Sequence, residues 1–324
     1  STGLRWISMM LLAPIPWAGC VWALPFLTAL MPSKQHCEDK GRRYKTVSEW
    51  AIQMISQLRR WMPERDIVVV ADGAYSVLKL LSHCISLPKP VTMVTRLRLN
   101  AALYDPPAPR TPGQLGRYRL KGERLPTIKS IIEDNDSRWT RIVLPKWYSH
   151  QDRPVEILSA TAIWYHIGVK PVPIRWVVAR DPLGKFPTQA LLCTDPSVDP
   201  TQILSWFMLR WQVETTFQET RTHLGIETQR QWSDLAIQRT TPALLGLFSI
   251  ITLMADRRAK RGALPIRQTA WYAKETATFS DALASVRRLL WAYSIYCMSP
   301  EIDDVRKLKR QMVDRLSNAL CYAA

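Results

Sequence analysis

The sequence predicts an α/β fold, in which a mixed sheet flanked by helices is interrupted by a β-rich stretch and followed by a helical C-terminal tail. Three observations predict it. Runs apolar on both faces at 4–13, 21–30, 67–72 and 91–97 read as strands, with helices between them at 46–62 and about 75–84. Residues 100–195 are dense in prolines and turn residues, with β-like runs at 141–148, 155–164, 173–180 and 189–193. Residues 200–224 then carry the helical period between clear start and stop signals.

Each element has a local reason. Residues 6–33 hold no charged side chain, which raises a membrane span as a distant alternative. Pro14, Pro16 and Pro25 would strain one helix, and Ala18-Gly19 offers a fold point, so two buried strands are expected instead. A polar, basic loop follows at 34–45. Thr46 and Glu49 have the spacing of a capping box, and Pro63 ends the helix they open. The run Ile67 to Val70 reads as a fully buried strand leading into Asp72, with Gly73 permitting the turn. Asp199 suits an N-cap, Pro200 the first helical position and Gly225 the stop of helix 200–224. A nearly all-apolar helix is expected at 242–255, too short to cross a bilayer comfortably. The expected divisions are 1–99, a first part of the core; 100–195, a β-rich insertion; 196–258, a second part of the core; and 259–324, a basic helical region.

Composition is that of a globular chain of 324 residues, 47% hydrophobic and 22% charged. The net charge of +17 favours a polyanionic partner. The excess is uneven: +7 over 1–99, +5 over 100–195, zero over 196–258 and +5 over 259–324. Six cysteines without close-spaced pairs argue against a zinc site and fit a reducing compartment. In the β-rich stretch, basic groups are interleaved with Trp139, Trp147, Tyr148, Trp164, Tyr165 and Trp176. That mixture suits nucleic-acid strands, although for any single ring a place in a sheet core is the simpler expectation.

The candidate chemistry lies on two carboxylates 142 positions apart. Asp72 ends a strand and Glu214 lies on helix 200–224. Phosphodiester cleavage with two divalent ions needs carboxylates gathered on rigid elements. On that helix Phe207, Arg210, Glu214, Phe217 and Arg221 share one side by their spacing. An intrahelical pair of Arg210 with Glu214 on a solvated face is the alternative explanation.

The stretch from Trp206 to Arg221 resembles the signature of bacterial insertion-sequence transposases of the DDE superfamily, whose core is ribonuclease-H-like. That signature is Tyr, two residues, Arg, three residues, Glu, six residues, Lys. Here Phe207, Arg210, Glu214 and Arg221 stand at those positions, so Phe replaces Tyr and Arg replaces Lys. Glu227 to Asp234 and Arg239 to Pro242 also resemble one subgroup, and the likeness runs from Gly3 to about residue 258. It implies metal-dependent cleavage and strand transfer at transposon ends. Asp72 and Glu214 would be the catalytic and metal-binding residues. Phe207, Arg210 and Arg221 would contact DNA or its phosphates. Two Mg²⁺ ions are implied, which Mn²⁺ could replace. The partners would be double-stranded DNA, at transposon ends and target, and a second copy of the chain in a synaptic complex. The place of work would be the bacterial cytoplasm, at the nucleoid.

The family's first catalytic Asp, on its opening strand, has no counterpart, since the first carboxylate is Glu38. That strand is expected upstream of Ser1, and the chain is expected to be impaired without it. Asp195 competes with Asp72 for the second position, because it also ends a plausible strand. The rival function is a DNA-binding remnant with no catalysis.

Overall fold

A computed structural model describes residues 3–110, 115–147, 150–262, 264–268, 273–298 and 310–322. Tyr148 and the Thr111 to Gly113 part of the proline-rich stretch lie outside the described residues, as does the side chain of Trp147. The chain divides into two compact units. The first comprises residues 1–7 and 31–211, the second 8–30 and 212–324.

The first unit is built on a seven-stranded mixed sheet. Its strands are β3 (Ile67–Val70), β4 (Val91–Arg96), β5 (Leu103–Tyr104), β6 (Thr140–Trp147), β7 (His150–Trp164), β8 (Val172–Arg180) and β9 (Gln189–Cys193). Their order is β3-β4-β9-β8-β7-β5, with β6 also pairing to β7. Strands β3 and β4 are parallel, with Val70 opposite Val94. Every other pairing is antiparallel, and Cys193 of β9 faces Val94.

Helices cover both faces. Helix α5 (Pro200–Leu209) lays Ile203, Leu204 and Phe207 on Val94, Leu144, Val155, Ile157, Val177, Leu191 and Cys193. Strand alternation turns Met93, Val178 and Leu192 the other way. There α3 (Leu78–Ile85), with buried Leu80, Leu81 and Cys84, contacts β4 and β8. Helix α2 (Val47–Trp61) packs on α3 and has the expected capping box at Thr46 and Glu49. Its Arg59 is buried and donates to the carbonyls of Met62, Pro63, Arg65 and Pro90, which fixes the approach to β3. Short helices α1 (Lys34–Asp39) and α4 (Ile128–Glu133) complete the unit.

The second unit holds the hairpin of β1 (Arg5–Ile15) and β2 (Cys20–Met31) from Ser8 onward. A 3-10 turn at Pro16–Ala18 joins them, and Gly19 takes a φ of 64° there, as the expected fold point requires. Among the described residues the hairpin is followed by helices α6 (Trp211–Leu224), α7 (Asp234–Ala259), α8 (Phe279–Met298) and α9 (Arg310–Cys321). Trp22 and Leu24 of the hairpin share a core with Phe248, Ile251, Ala255 and Phe279, the last two rings stacked 4.3 Å apart.

The mixed sheet between helices, with helices at the C-terminal end, is as the sequence predicts. Five particulars differ. First, β1 and β2 form a two-stranded sheet of their own instead of joining β3 and β4. Their double-sided apolarity serves a helix-packed hairpin, with Leu11 and Phe26 left exposed. Second, the strands of 100–195 do not make a separate insertion sheet, because β9 pairs with β4 and draws β8, β7, β6 and β5 into the same sheet. Third, β3 is not fully buried, with Val68 38% exposed; its place at the sheet's open edge is the one expected when the opening strand beside it is not in the chain. Fourth, helix 200–224 is two helices that meet at Arg210, whose N–H turns to the Phe207 carbonyl three residues back, at 3.2 Å. Fifth, the helix expected at 242–255 starts at Asp234, capped by Ser233, and runs through Pro242. Its 26 residues make it long and apolar enough to cross a membrane by length and composition, while Leu245, Phe248 and Ile251 are buried within the unit.

Candidate active site at the end of the parallel strand pair

Asp72 lies two residues beyond β3, at the C-terminal end of the parallel pair. Ends of parallel strands hold functional groups well, because the chain must turn there and can present a side chain to solvent. Its backbone is fixed: the Ala71 N–H donates to the Val94 carbonyl at 2.9 Å, and the buried Thr95 hydroxyl to the Asp72 carbonyl at 2.8 Å. The exposed carboxylate accepts the Gly73 N–H at 2.8 Å and caps a 3-10 turn, Gly73–Tyr75. Burial raises the affinity of the Tyr75 phenol for its proton, and the negative charge of Asp72 adds to that.

The register carries Arg96 beside Asp72. A Cβ on Gly73 would touch the Arg96 Cβ at 3.5 Å. Val70 packs on the core beneath α5, so alternation puts Asp72 on that same face. The end of α5 arrives there too. The Arg96 guanidinium carbon is 5.8 Å from the Phe207 ring centroid, and that of Arg210 is 5.5 Å from it. Phe207, only 4% exposed, is thus a core ring with two guanidinium groups around it. Arg96 and Tyr75 were not singled out in the sequence. The signal for Arg96 was a cation ending the strand that runs parallel to the Asp72 strand.

Asp195 lies elsewhere. Since β9 runs against β4, Thr194 pairs with Met93 and Asp195 falls at the level of Thr92, toward the start of β4. That is four register steps from Arg96, about 13 Å along the strand at ~3.3 Å per residue. Its carboxylate accepts the N–H and hydroxyl of Ser197, at 2.9 and 2.6 Å, and so holds a turn. Asp199 then caps α5 by accepting the Thr201 N–H at 2.8 Å. Ten helical residues, about 15 Å at ~1.5 Å each, return the chain to the Asp72 end.

Glu214, Phe217 and Arg221 lie on α6 in the second unit, so the five residues expected on one continuous helix face are divided between two helices. Glu214 is exposed in the first turn, where a carboxylate suits the helix dipole. Arg221 pairs with Glu227 at 3.1 Å, both side chains at least half exposed. The other side of α6 faces the hairpin: buried Thr216 donates to the Ala23 carbonyl at 2.7 Å. Burial raises the affinity of Glu219 for its proton against the pull of His223 and Lys274. Among the described residues no three acidic, histidine or cysteine side chains gather into a metal-binding group.

Residues 1–154, just under half of the chain, match a protein-family model described as DDE superfamily endonuclease. The matched stretch contains Asp72 and Arg96 and ends before α5. No curated protein matches the chain. Among solved structures it is similar to the piggyBac transposase in a synaptic complex with hairpin DNA, determined by cryo-EM. The identity is 13% and the TM-score 0.36, over 91% of this chain and 47% of that one. The chain therefore spans about half the length of that transposase chain.

Proposed function

We propose that the chain is a DNA transposase of an insertion sequence, acting by metal-dependent cleavage and strand transfer at transposon ends. The observation that carries this reading is the exposed carboxylate of Asp72, which ends a parallel strand beside Arg96 within the stretch matched as a DDE superfamily endonuclease. Asp72 and Glu214 are the proposed catalytic and metal-binding residues. Arg210 and Arg221 are the proposed contacts to DNA; Phe207, expected to join them, is a buried core ring and is proposed to act only by holding the Arg96 and Arg210 guanidinium groups. The partners are duplex DNA, which the charge of +17 favours, and a second copy of the chain. The proposed place of work is a bacterial nucleoid.

Carboxylate oxygens are the donors that Mg²⁺ prefers, so Asp72 and Glu214 fit it in kind. They do not fit it in number, since two ions share a larger donor set than two carboxylates supply. Bound ions would activate the attacking oxygen and stabilise the leaving one. The chain's own part is charge placement. Arg96 and Arg210, held about one ring, present cations on the Asp72 face that can hold a phosphate by charge and hydrogen bonding.

The second reading, a DNA-binding protein without catalysis, rests on the net charge of +17, which serves duplex binding whether or not a metal site is complete. A nicking assay on labelled transposon-end duplex with Mg²⁺ or Mn²⁺, run beside a binding assay, separates them. Cleavage lost in Asp72→Asn and Glu214→Gln supports the first reading. Binding without cleavage supports the second, and the absence of both sinks the two together.

A further inference from the structure

We propose that a short β-ribbon on the first unit, formed around Tyr104 and Arg124, is a phosphate-backbone contact for duplex DNA, with Lys121, Arg124 and the Tyr104 hydroxyl as its binding groups. This rests on the DNA reading above and adds a site away from the Asp72 edge.

The ribbon is well fixed. Tyr104 bridges to Arg124, the Asp105 N–H donates to the Glu123 carbonyl at 2.9 Å, and the Gly122 N–H to the Asp105 carbonyl at 2.8 Å. Only glycine fits at 122, because a Cβ there would come within 2.7 Å of the Pro106 carbonyl oxygen. On its other side β5 pairs with the end of β7, Tyr104 opposite Ile163. The ribbon therefore stands on the sheet and not on a free loop.

Its charges are ordered by rings. The Lys121 ammonium sits 3.5 Å from the Tyr104 ring centroid and 5.2 Å from that of Tyr165. The two rings meet edge to face at 6.4 Å. A lysine ordinarily loses much rotamer freedom on binding, and here the rings have already restricted it. The Lys121 ammonium beside Tyr104, with the charge of Arg124, holds that phenol below its ordinary value. Between Leu103 and Arg124 the sequence carries five basic side chains (Arg110, Arg117, Arg119, Lys121 and Arg124) against Asp105 and Glu123. Arg117, Arg119 and Arg124 are exposed. A cationic ribbon with a fixed ammonium and a polarised hydroxyl matches successive phosphates on one strand.

The test is fluorescence anisotropy of a labelled duplex with the full chain across a salt series. Lys121→Met keeps the stem against the rings and removes the charge, and Arg124→Gln is combined with it. Lys129→Ala, on an exposed cation paired with Glu133 at 3.8 Å, is the control. The double variant is expected to bind about tenfold more weakly and to lose about 2 from the slope of log affinity against log salt. Tyr104→Phe should weaken binding less and leave that slope unchanged. A double variant with the affinity and slope of the parent overturns the site while leaving DNA binding intact. A parent chain that binds no duplex at low salt overturns the DNA reading itself. An unlabelled single-strand competitor that displaces the duplex equally well overturns the assignment of the ribbon to duplex DNA.

Discussion

The Arg96 guanidinium lies over the ring of Phe207, its carbon 5.8 Å from the ring centroid. The two residues are 111 positions apart in sequence. Their meeting ties the end of α5 to the strand end that presents Asp72. The ring's negative face favours a cation there, and burial of the ring fixes where that cation can be.

Phe207→Ala is therefore expected to destabilise the first unit by about 3–5 kcal/mol, the usual cost of removing a buried aromatic ring. Phe207→Leu, which keeps most of the volume, should cost less. Trp232→Ala is the comparison: that ring is 97% exposed and its loss should change stability by no more than ~0.5 kcal/mol. Urea unfolding followed by circular dichroism measures all three. A Phe207→Ala loss as small as that of Trp232→Ala would mean that the ring does not anchor α5.

How legible this was in the sequence depends on the distance over which each signal acts. Three of the four later strands were readable nearly to the residue, since alternation and turn residues are local; expected runs at 173–180 and 189–193 became Val172–Arg180 and Gln189–Cys193, whereas the run expected at 155–164 starts at His150. The capping box at Thr46 was equally local. Pairing was not. Nothing near Cys193 says that it will face Val94, and that one pairing decides that the β-rich stretch extends the core sheet. The same pairing sets Asp195 far from the Asp72 edge. Pro242 misled for a different reason: proline is a good helix start, yet α7 takes it at an interior position. The place of Asp72 just past a strand end was readable, because the run of Ile and Val before it and the glycine after it are local signals. Arg96 was not, because its meaning comes only from the strand beside it.

Asp281 gives a prediction in pH. The side chain is fully buried and accepts from the N–H groups of Arg267 and Thr278, the hydroxyls of Thr278 and Tyr322, and the Lys274 ammonium. Burial pushes its carboxyl up, and these donors together pull it further down, to a net value below the usual carboxylate range. A depressed folded value means stability that is present above the unfolded value, about 3.9, and is lost as pH falls through the folded one. The second unit should thus lose stability below about pH 4. Asp281→Asn should remove that part of the acid dependence and cost roughly 3 kcal/mol at neutral pH, because it leaves a largely buried lysine without its counter-charge. Thermal melts from pH 7 to pH 3 test this; parallel curves for the parent and Asp281→Asn would count against it.

Salt gives the prediction for the DNA partner. A charge of +17 spread over several regions implies many phosphate contacts, each releasing counterions. Duplex affinity should fall about 10³-fold or more between 50 and 200 mM salt if six or more phosphates are contacted. Arg210→Ala and Arg221→Ala should weaken engagement of transposon ends more than of random duplex. Arg221 must leave its pairing with Glu227 to do so, and an exposed pair of that kind opposes the exchange by at most ~1 kcal/mol. Binding that ignores salt would remove the electrostatic basis of the proposal.

Cleavage gives the sharpest prediction, because the donor count works against it. In-line displacement with two ions requires carboxylates that hold both ions at fixed spacing against phosphate repulsion. The two proposed metal-binding carboxylates are Asp72, which already accepts the Gly73 N–H, and Glu214. Asp195, the alternative to Asp72 in the sequence, is held by Ser197 at the other end of the strands. This chain is therefore expected to bind Mg²⁺ weakly and to nick transposon-end DNA slowly at best, with Mn²⁺ more effective than Mg²⁺ because it tolerates poorer geometry. Calorimetric titration with each ion, beside a strand-cleavage time course, measures both quantities. Brisk cleavage that disappears in Glu214→Gln but survives in Asp72→Asn would show that a carboxylate other than Asp72 completes the site, and the assignment of Asp72 would have to be given up.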